Sequence, residues 1–367
     1  MNNLVQITLN ADQEQYNIGD DESITFIDAS SYYIGKIIAK KHGWLTLESV
    51  DQDGNLGGIV FIKEDQIAKI ENETPMLHYF AITNIKDPFH MKQSNQSVLN
   101  WDFTNLYDLL VNITDARPFI TVEVNNGTTY TGVITQLDKN EVRILERNGN
   151  MLDQYPTVIP LKDIVCLDAN SIDNYLFLQY LKRKGNYNNK LELVEIYFNY
   201  TFDDQFGNFA IGKILKYDEE NLILESLNEL GQVESIAVIS RKHISHITEE
   251  SDRLNYFNYL IKWQKKNNSF DPDYLEHSIN LSGEIKSPAE IIEEWPHDRV
   301  IKICDSIYHY PDRLGLVVDR NTESFDLRIL TEYNLGDISD NEYDDLISVD
   351  LAGSDMIKMQ RFIEYDG

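Results

Sequence analysis

Residues 34–49 read IGKIIAKKHGWLTLES, and residues 211–226 read IGKILKYDEENLILES. Eight of these sixteen positions are identical without a gap. The continuations match in kind. After the first phrase come DQDGNLGG (51–58), IVFI (59–62) and DQIAKI (65–70); after the second come NELGQ (228–232), IAVI (236–239) and KHISHI (242–247). Each block predicts strand, turn, strand, short turn, strand. Alternation in LTLES and LILES gives one inward and one outward face. Gly54 and Gly231 mark the turns, where glycine adopts positive φ without a Cβ clash.

Two more copies follow the same order with weaker wording, at 120–167 and 300–349. The anchor glycines are Gly35, Gly132, Gly212 and Gly315, and the turn glycines are Gly54, Gly149, Gly231 and Gly336. Closing aliphatic pairs come next: Ile67/Ile70, Ile164/Leu167, Ile244/Ile247 and Leu346/Val349. A strand bent at glycine and followed by tight hairpins is expected to curl a short sheet into a small barrel. Closure would remove the exposed edges of five short strands. An apolar helical segment follows each block: LHYF (77–80), NYLF (174–177), the Leu254, Phe257, Ile261 stripe, and MIKMQRFIEY (356–365). Pro75 suits a first helical position, and Ser171 and Ser251 suit N-caps.

The anchor glycines are 97, 80 and 103 residues apart. Each long gap opens on Asp-Pro, at Asp87-Pro88 and Asp271-Pro272, and holds a short helical segment near its end. The pattern predicts a two-barrel unit that was duplicated, with 1–186 corresponding to 187–367. The expected domains are 1–86 (barrel and helix), 87–186 (linker helix, barrel and helix), 187–270 (barrel and helix) and 271–367 (linker helix, barrel and C-terminal helix).

The second copy resembles an Sm-like barrel, the fold of bacterial Hfq and eukaryotic LSm proteins. The residues that carry the resemblance are Val122, Val124, Gly127, Tyr130, Gly132, Val133, Asp138, Leu145 and Gly149, then Ile164 and Leu167; the third copy adds Gly212, Asp218, Asn221, Leu222 and Leu224. It implies a fold class that is mainly β with α (α+β): four tandem Sm/SH3-like small β-barrels with attached helices, as a duplicated two-barrel unit. The RNA-binding signatures do not carry over. Where Sm proteins place a basic turn, this chain has AKIEN, VCLDA, SHITE and ISVDL.

Charge narrows the partners. The 61 acidic and 32 basic side chains of the 367 residues give a net charge of −29. Such a field repels phosphate backbones. The N-terminal segment lacks the basic and apolar regions of a signal peptide, and no apolar run reaches the ~18 residues of a membrane span. Cys166 and Cys304 fit no metal spacing and read as buried thiols. A cytoplasmic setting is expected, without cofactor or metal.

No catalytic motif emerges. IGKI lacks the loop and hydroxyl of a phosphate-binding motif, and DQDGN (51–55) has its glycine at the wrong place for a calcium loop. His243 and His246 fall three apart on a predicted strand, hence on opposite faces. The candidate partner-binding residues are Asp337, Asp340, Glu342, Asp344 and Asp345, in the acidic run DISDNEYDDLISVD. Basic islands at 182–184 and at Lys262, Lys265 and Lys266 complement helix C-termini. The leading expectation is a non-enzymatic adaptor for a protein partner with basic character. The alternatives are an RNA-binding regulator, with Trp44 and Tyr130 stacking bases, and an acidic inhibitor of a basic enzyme.

Overall fold

The computed structural model describes residues 4–10, 32–51, 54–82, 85–116, 119–148, 151–152, 155–183, 192–199, 209–306, 312–331 and 334–366. The chain forms two compact units, Met1–Arg183 and Lys184–Gly367.

In the first unit, one block contains β1 (Leu4–Leu9), β2 (Tyr32–Lys41), β3 (Trp44–Val50), β4 (Leu56–Lys63) and β5 (Ile67–Glu71), followed by helix α1 (Pro75–Ile82). Helices α2 (Met91–Leu99) and α3 (Leu106–Ala116) lead to the next block: β6 (Phe119–Val124), β7 (Thr129–Leu137), β8 (Glu141–Asn148), β9 (Met151–Leu152), β10 (Thr157–Pro160) and β11 (Ile164–Asp168). Helix α4 (Ile172–Arg183) ends the unit. The second unit holds β12 (Val194–Phe198), β13 (Phe209–Tyr217), β14 (Asn221–Leu227), β15 (Val233–Ser240) and β16 (Ile244–Thr248), then α5 (Asp252–Lys266) and α6 (Pro288–Glu294). Its last block is β17 (Val300–Asp305), β18 (Asp312–Arg320), β19 (Ser324–Thr331), β20 (Asn334–Glu342) and β21 (Leu346–Gly353), followed by α7 (Ser354–Asp366).

The expected four closed barrels are not formed. Each unit is one continuous antiparallel sheet. The first runs β5-β1-β2-β3-β4-β11-β6-β7-β8-β10, with β9 beside β8; the second runs β16-β12-β13-β14-β15-β21-β17-β18-β19-β20. Strand pairing explains the difference. A barrel would need the fourth strand of a block to return to its own fifth. Here β4 pairs with β11 of the next block, and β15 pairs with β21. Edges that closure would have removed are removed by joining neighbours. Both junctions share one register, with Leu167 opposite Phe61 and Val349 opposite Val238.

The anchor glycines are required for close approach, not for a positive φ. A Cβ on Gly35, Gly132, Gly212 or Gly315 would lie 2.2, 2.1, 2.1 or 2.6 Å from the carbonyl oxygen of Glu48, Leu145, Glu225 or Arg328 on the adjacent strand. Gly54 and Gly231 do turn the chain, at φ 75° and 72°. Gly336, expected in a turn, lies within β20; Gly149 lies outside the described residues.

The helices cover the sheets. The predicted stripe of Leu254, Phe257 and Ile261 on α5 is buried, and α3, expected only as a short helical segment, buries Leu109, Leu110 and Ile113. Each such side chain stabilises the fold by about 1.5–3 kcal/mol relative to exposure. The Ser251 side chain accepts the Leu254 N–H at 2.9 Å, and Ser171 accepts that of Asn174 at 3.1 Å. Both Asp-Pro aspartates cap the helical turn four residues on: Asp87 accepts from Met91 N at 2.6 Å, and Asp271 from Leu275 N at 2.8 Å. Among the described residues, no helix is long and apolar enough to cross a membrane.

Candidate functional site

Strand β20 is the last strand of the second sheet, so one side of its backbone faces no neighbour within that sheet. The sequence alternates along it. Asn341 points inward and is buried, its amide donating to the carbonyls of Ser339 at 2.8 Å and Phe325 at 3.2 Å. Asp337, Asp340 and Glu342 are exposed, as is Asp344 in the 3-10 turn after the strand. Asp345 is half-buried and accepts a hydrogen bond from Ser306 Oγ at 3.4 Å. The five acidic candidates thus fall on one sheet edge and its turn, with four directed outward. Tyr343 anchors the turn, its ring 5.4 Å from that of Phe325. Burial, then Glu293, pushes its phenol above the ordinary range. Among the described residues no strand lies on the outer side of this edge, and carboxylates flank its main-chain groups, which suits an extended segment carrying cations.

A second charged centre lies at the β15–β21 junction. Lys302 occupies a place on β17 that Gln6, Thr121 and Glu195 occupy on β1, β6 and β12, each one residue past the partner of an anchor glycine. All four reach the start of the helix after their block. Thr74 donates to Gln6 at 2.9 Å, Asn174 donates to Thr121 at 3.0 Å, and Ser251 donates to Glu195. Lys302 Nζ instead meets Asp312 at 3.3 Å, Glu234 at 3.5 Å and Asp355 at 3.8 Å. Burial opposes its charge, but Asp312 and Glu234, with Asp350 and Asp355, outweigh it and hold the ammonium well above its usual range. A protonated amine is a counter-ion rather than a nucleophile. Burial pushes Asp350 up to about 7 against the pull of Lys302. It also raises Glu234. A cavity of about 210 Å³ adjoins the cluster, lined by Lys302, Asp312, Leu314, Asp355, Lys358 and Met359. Sequence reading missed this centre. The signal was a lysine inside VIKICD, flanked on both sides by residues that the sheet buries.

The remaining candidates are dispersed. His243 lies in a 3-10 turn rather than a strand, and burial, then Lys242, lowers its pKa. His246 stacks on Tyr197 at 4.2 Å between ring centres. Lys265 lies 4.3 Å from the centre of the Phe270 ring at the end of α5. The island at 182–184 falls at the end of α4 and partly outside the described residues. Cys166 and Cys304 are both buried. Among the described residues, no group of three or more His, Cys, Asp or Glu is placed to hold a metal ion. No protein-family model matches the chain, and no curated protein matches it.

Proposed function

We propose that this chain is a non-enzymatic interaction protein that docks an extended, basic segment of a partner protein along β20. The observation that carries this reading is the row of exposed Asp337, Asp340, Glu342 and Asp344 on an end strand. Main-chain hydrogen bonds from such an edge give affinity, while the carboxylates select for cations and against phosphate polymers. The raised pKa of Lys302 supports a binding protein over an amine-based catalyst. A cytoplasmic setting is part of the proposal, in keeping with a chain that has only two cysteines, both buried. We extend the Sm-like likeness only to the order of strands within a block, where the fifth strand lies beside the first.

The test is fluorescence anisotropy with a labelled peptide that alternates lysine and valine. Binding should weaken as salt is raised, and Asp340→Lys with Glu342→Lys should reduce affinity at least tenfold, about 1.4 kcal/mol. Equal affinity for the double variant would remove β20 as the docking edge.

A further inference from the structure

Each sheet ends in two different kinds of strand. Relative to the 3-10 turn of its block, β20 precedes the turn and β16 follows it. The junctions inside the units join one strand of each kind, β4 to β11 and β15 to β21, in one register. The second unit therefore carries both halves of a junction that the chain already makes twice.

Side-chain exposure marks the same two edges. Leu167 and Val349, fourth in β11 and β21, are 0% exposed, whereas the fourth residue of β16, Ile247, is 40% exposed. Ile59 and Ile236 are at most 1% exposed at the junctions, whereas Ile338, at the corresponding place in β20, is 52% exposed. Carrying the junction register over sets Asp340 opposite Ile247. Ile338 then lies diagonally across from Ile247 on the same face, within reach for apolar contact.

Charge selects which strand fits. The segment 241–248 carries Arg241, Lys242, His243 and His246 and no acid, whereas the equivalent segment 64–71 before and along β5 carries Glu64, Asp65, Lys69 and Glu71. In an antiparallel junction the turn after β20 lies beside the turn before β16. By the same register Glu342 would lie opposite Ser245, and Asp344 and Asp345 would face His243 and Lys242. The β5 edge would set Glu64 and Asp65 against them instead. Turns of these two sequences already meet once inside the unit, where Lys242 Nζ donates to the Asp344 carbonyl at 2.8 Å.

We infer that the segment docked on β20 is β16 of a second copy of this chain. This inference rests on the docking reading above and names its partner. The contact is heterologous, so each copy offers one donor edge and one acceptor edge, and association continues until the assembly closes.

The test is sedimentation velocity of the full chain across a wide concentration range, with Lys242→Glu and Asp344→Lys as separate variants. Wild type is expected to grow in mass with concentration. Each variant alone should stay at monomer mass, and an equimolar mixture of the two should associate again, because each supplies the reversed partner the other lacks. Unchanged thermal unfolding qualifies each variant as folded, and Arg241→Glu replaces Lys242→Glu where it does not unfold like wild type. A wild type that stays monomeric, or variants that associate as it does, would overturn the inference. The lysine–valine peptide is titrated into the same samples. Binding by a monomeric wild type leaves the β20 docking reading standing without self-association, and no binding removes both.

Discussion

Asp168 and Asp350 hold the same place in the two junctions, opposite Val60 and Ala237, yet their neighbourhoods differ in kind. Around Asp168 the bonded groups are mostly amides, with the Glu48 carboxylate accepting from Asn95 at 3.2 Å. The Asp168 carboxylate accepts from Asn170 N at 3.0 Å, the Asn170 amide donates to Asn95 at 3.1 Å, and Asn95 donates to the Gly57 carbonyl at 3.0 Å. Burial pushes Asp168 up to about 6, with backbone hydrogen bonds from Asn170 and Ser171 acting against it. Around Asp350 the groups are charged, and Lys302 is the shared cation. One pairing pattern is thus supported by a mainly amide hydrogen-bond network in one unit and by a lysine-centred charge cluster in the other. The amide version is expected to lose less when one partner is removed. The charged version ties its unit to Lys302 and to pH over a wider window.

The sharpest separation of the two is Lys302→Met against Thr121→Val. Removing the lysine leaves the buried Asp350 and the partly exposed Glu234 and Asp312 without their cation, while Asp355 keeps Lys358, and should cost about 1–3 kcal/mol. Removing the threonine hydroxyl should cost about 1 kcal/mol. Guanidinium unfolding of both variants measures the gap, and equal losses would erase the distinction between the junctions.

Gly212→Val should destabilise the second unit by roughly 1–3 kcal/mol, because the added Cβ meets the Glu225 carbonyl oxygen at 2.1 Å. Gly132→Val should do the same in the first unit against Leu145. Unchanged thermal stability in either would show that the strands can separate there without penalty.

The pH dependence carries a definite sign. Asp350 is raised from 3.8 to about 7, so the folded protein keeps a proton that the unfolded chain has lost. Its contribution is most favourable below about pH 4 and falls as pH rises to about 7. Asp350→Asn should flatten that slope and raise stability at pH 8, by on the order of 1–2 kcal/mol. Asp168→Asn should act in the narrower window up to about 6. Denaturation midpoints from acid to neutral pH give both slopes, and a wild type whose stability is flat across them contradicts the buried-proton reading.

The smallest expected signal is with nucleic acid. Mixed-sequence single-stranded RNA at about 150 mM salt, where the Debye length is about 8 Å, should bind weakly or not at all. Submicromolar affinity, weakened by charge reversal at Lys182 and Lys265, would promote an RNA-binding role instead.

Much of this was legible in the chain. The strands, the helix stripes, the caps at Ser171 and Ser251, and the turns at Gly54 and Gly231 follow from local alternation and glycine geometry. Whether a block closes on itself was not legible, because the choice between its own fifth strand and a neighbour's is a long-range pairing. A clue did exist. The strands that pair at junctions read IVFI with IVCL and IAVI with LISV, whereas the end strands read TVIP, SDNE, IAKI and ISHI, with proline, a charged residue or histidine in each. Edge strands are blunted in this way. The acidic run was found from composition, but its placement on an open edge needed the sheet order. The Lys302 cluster draws carboxylates from four elements, which no single window of sequence brings together.

Amide hydrogen exchange of the full chain, with and without the lysine–valine peptide, tests the docking claim most directly. The account predicts that the amides of Asn334–Glu342 become protected on binding, while those of the end strands β5 and β10 exchange as before. Protection that appears elsewhere and leaves Asn334–Glu342 unchanged would contradict it.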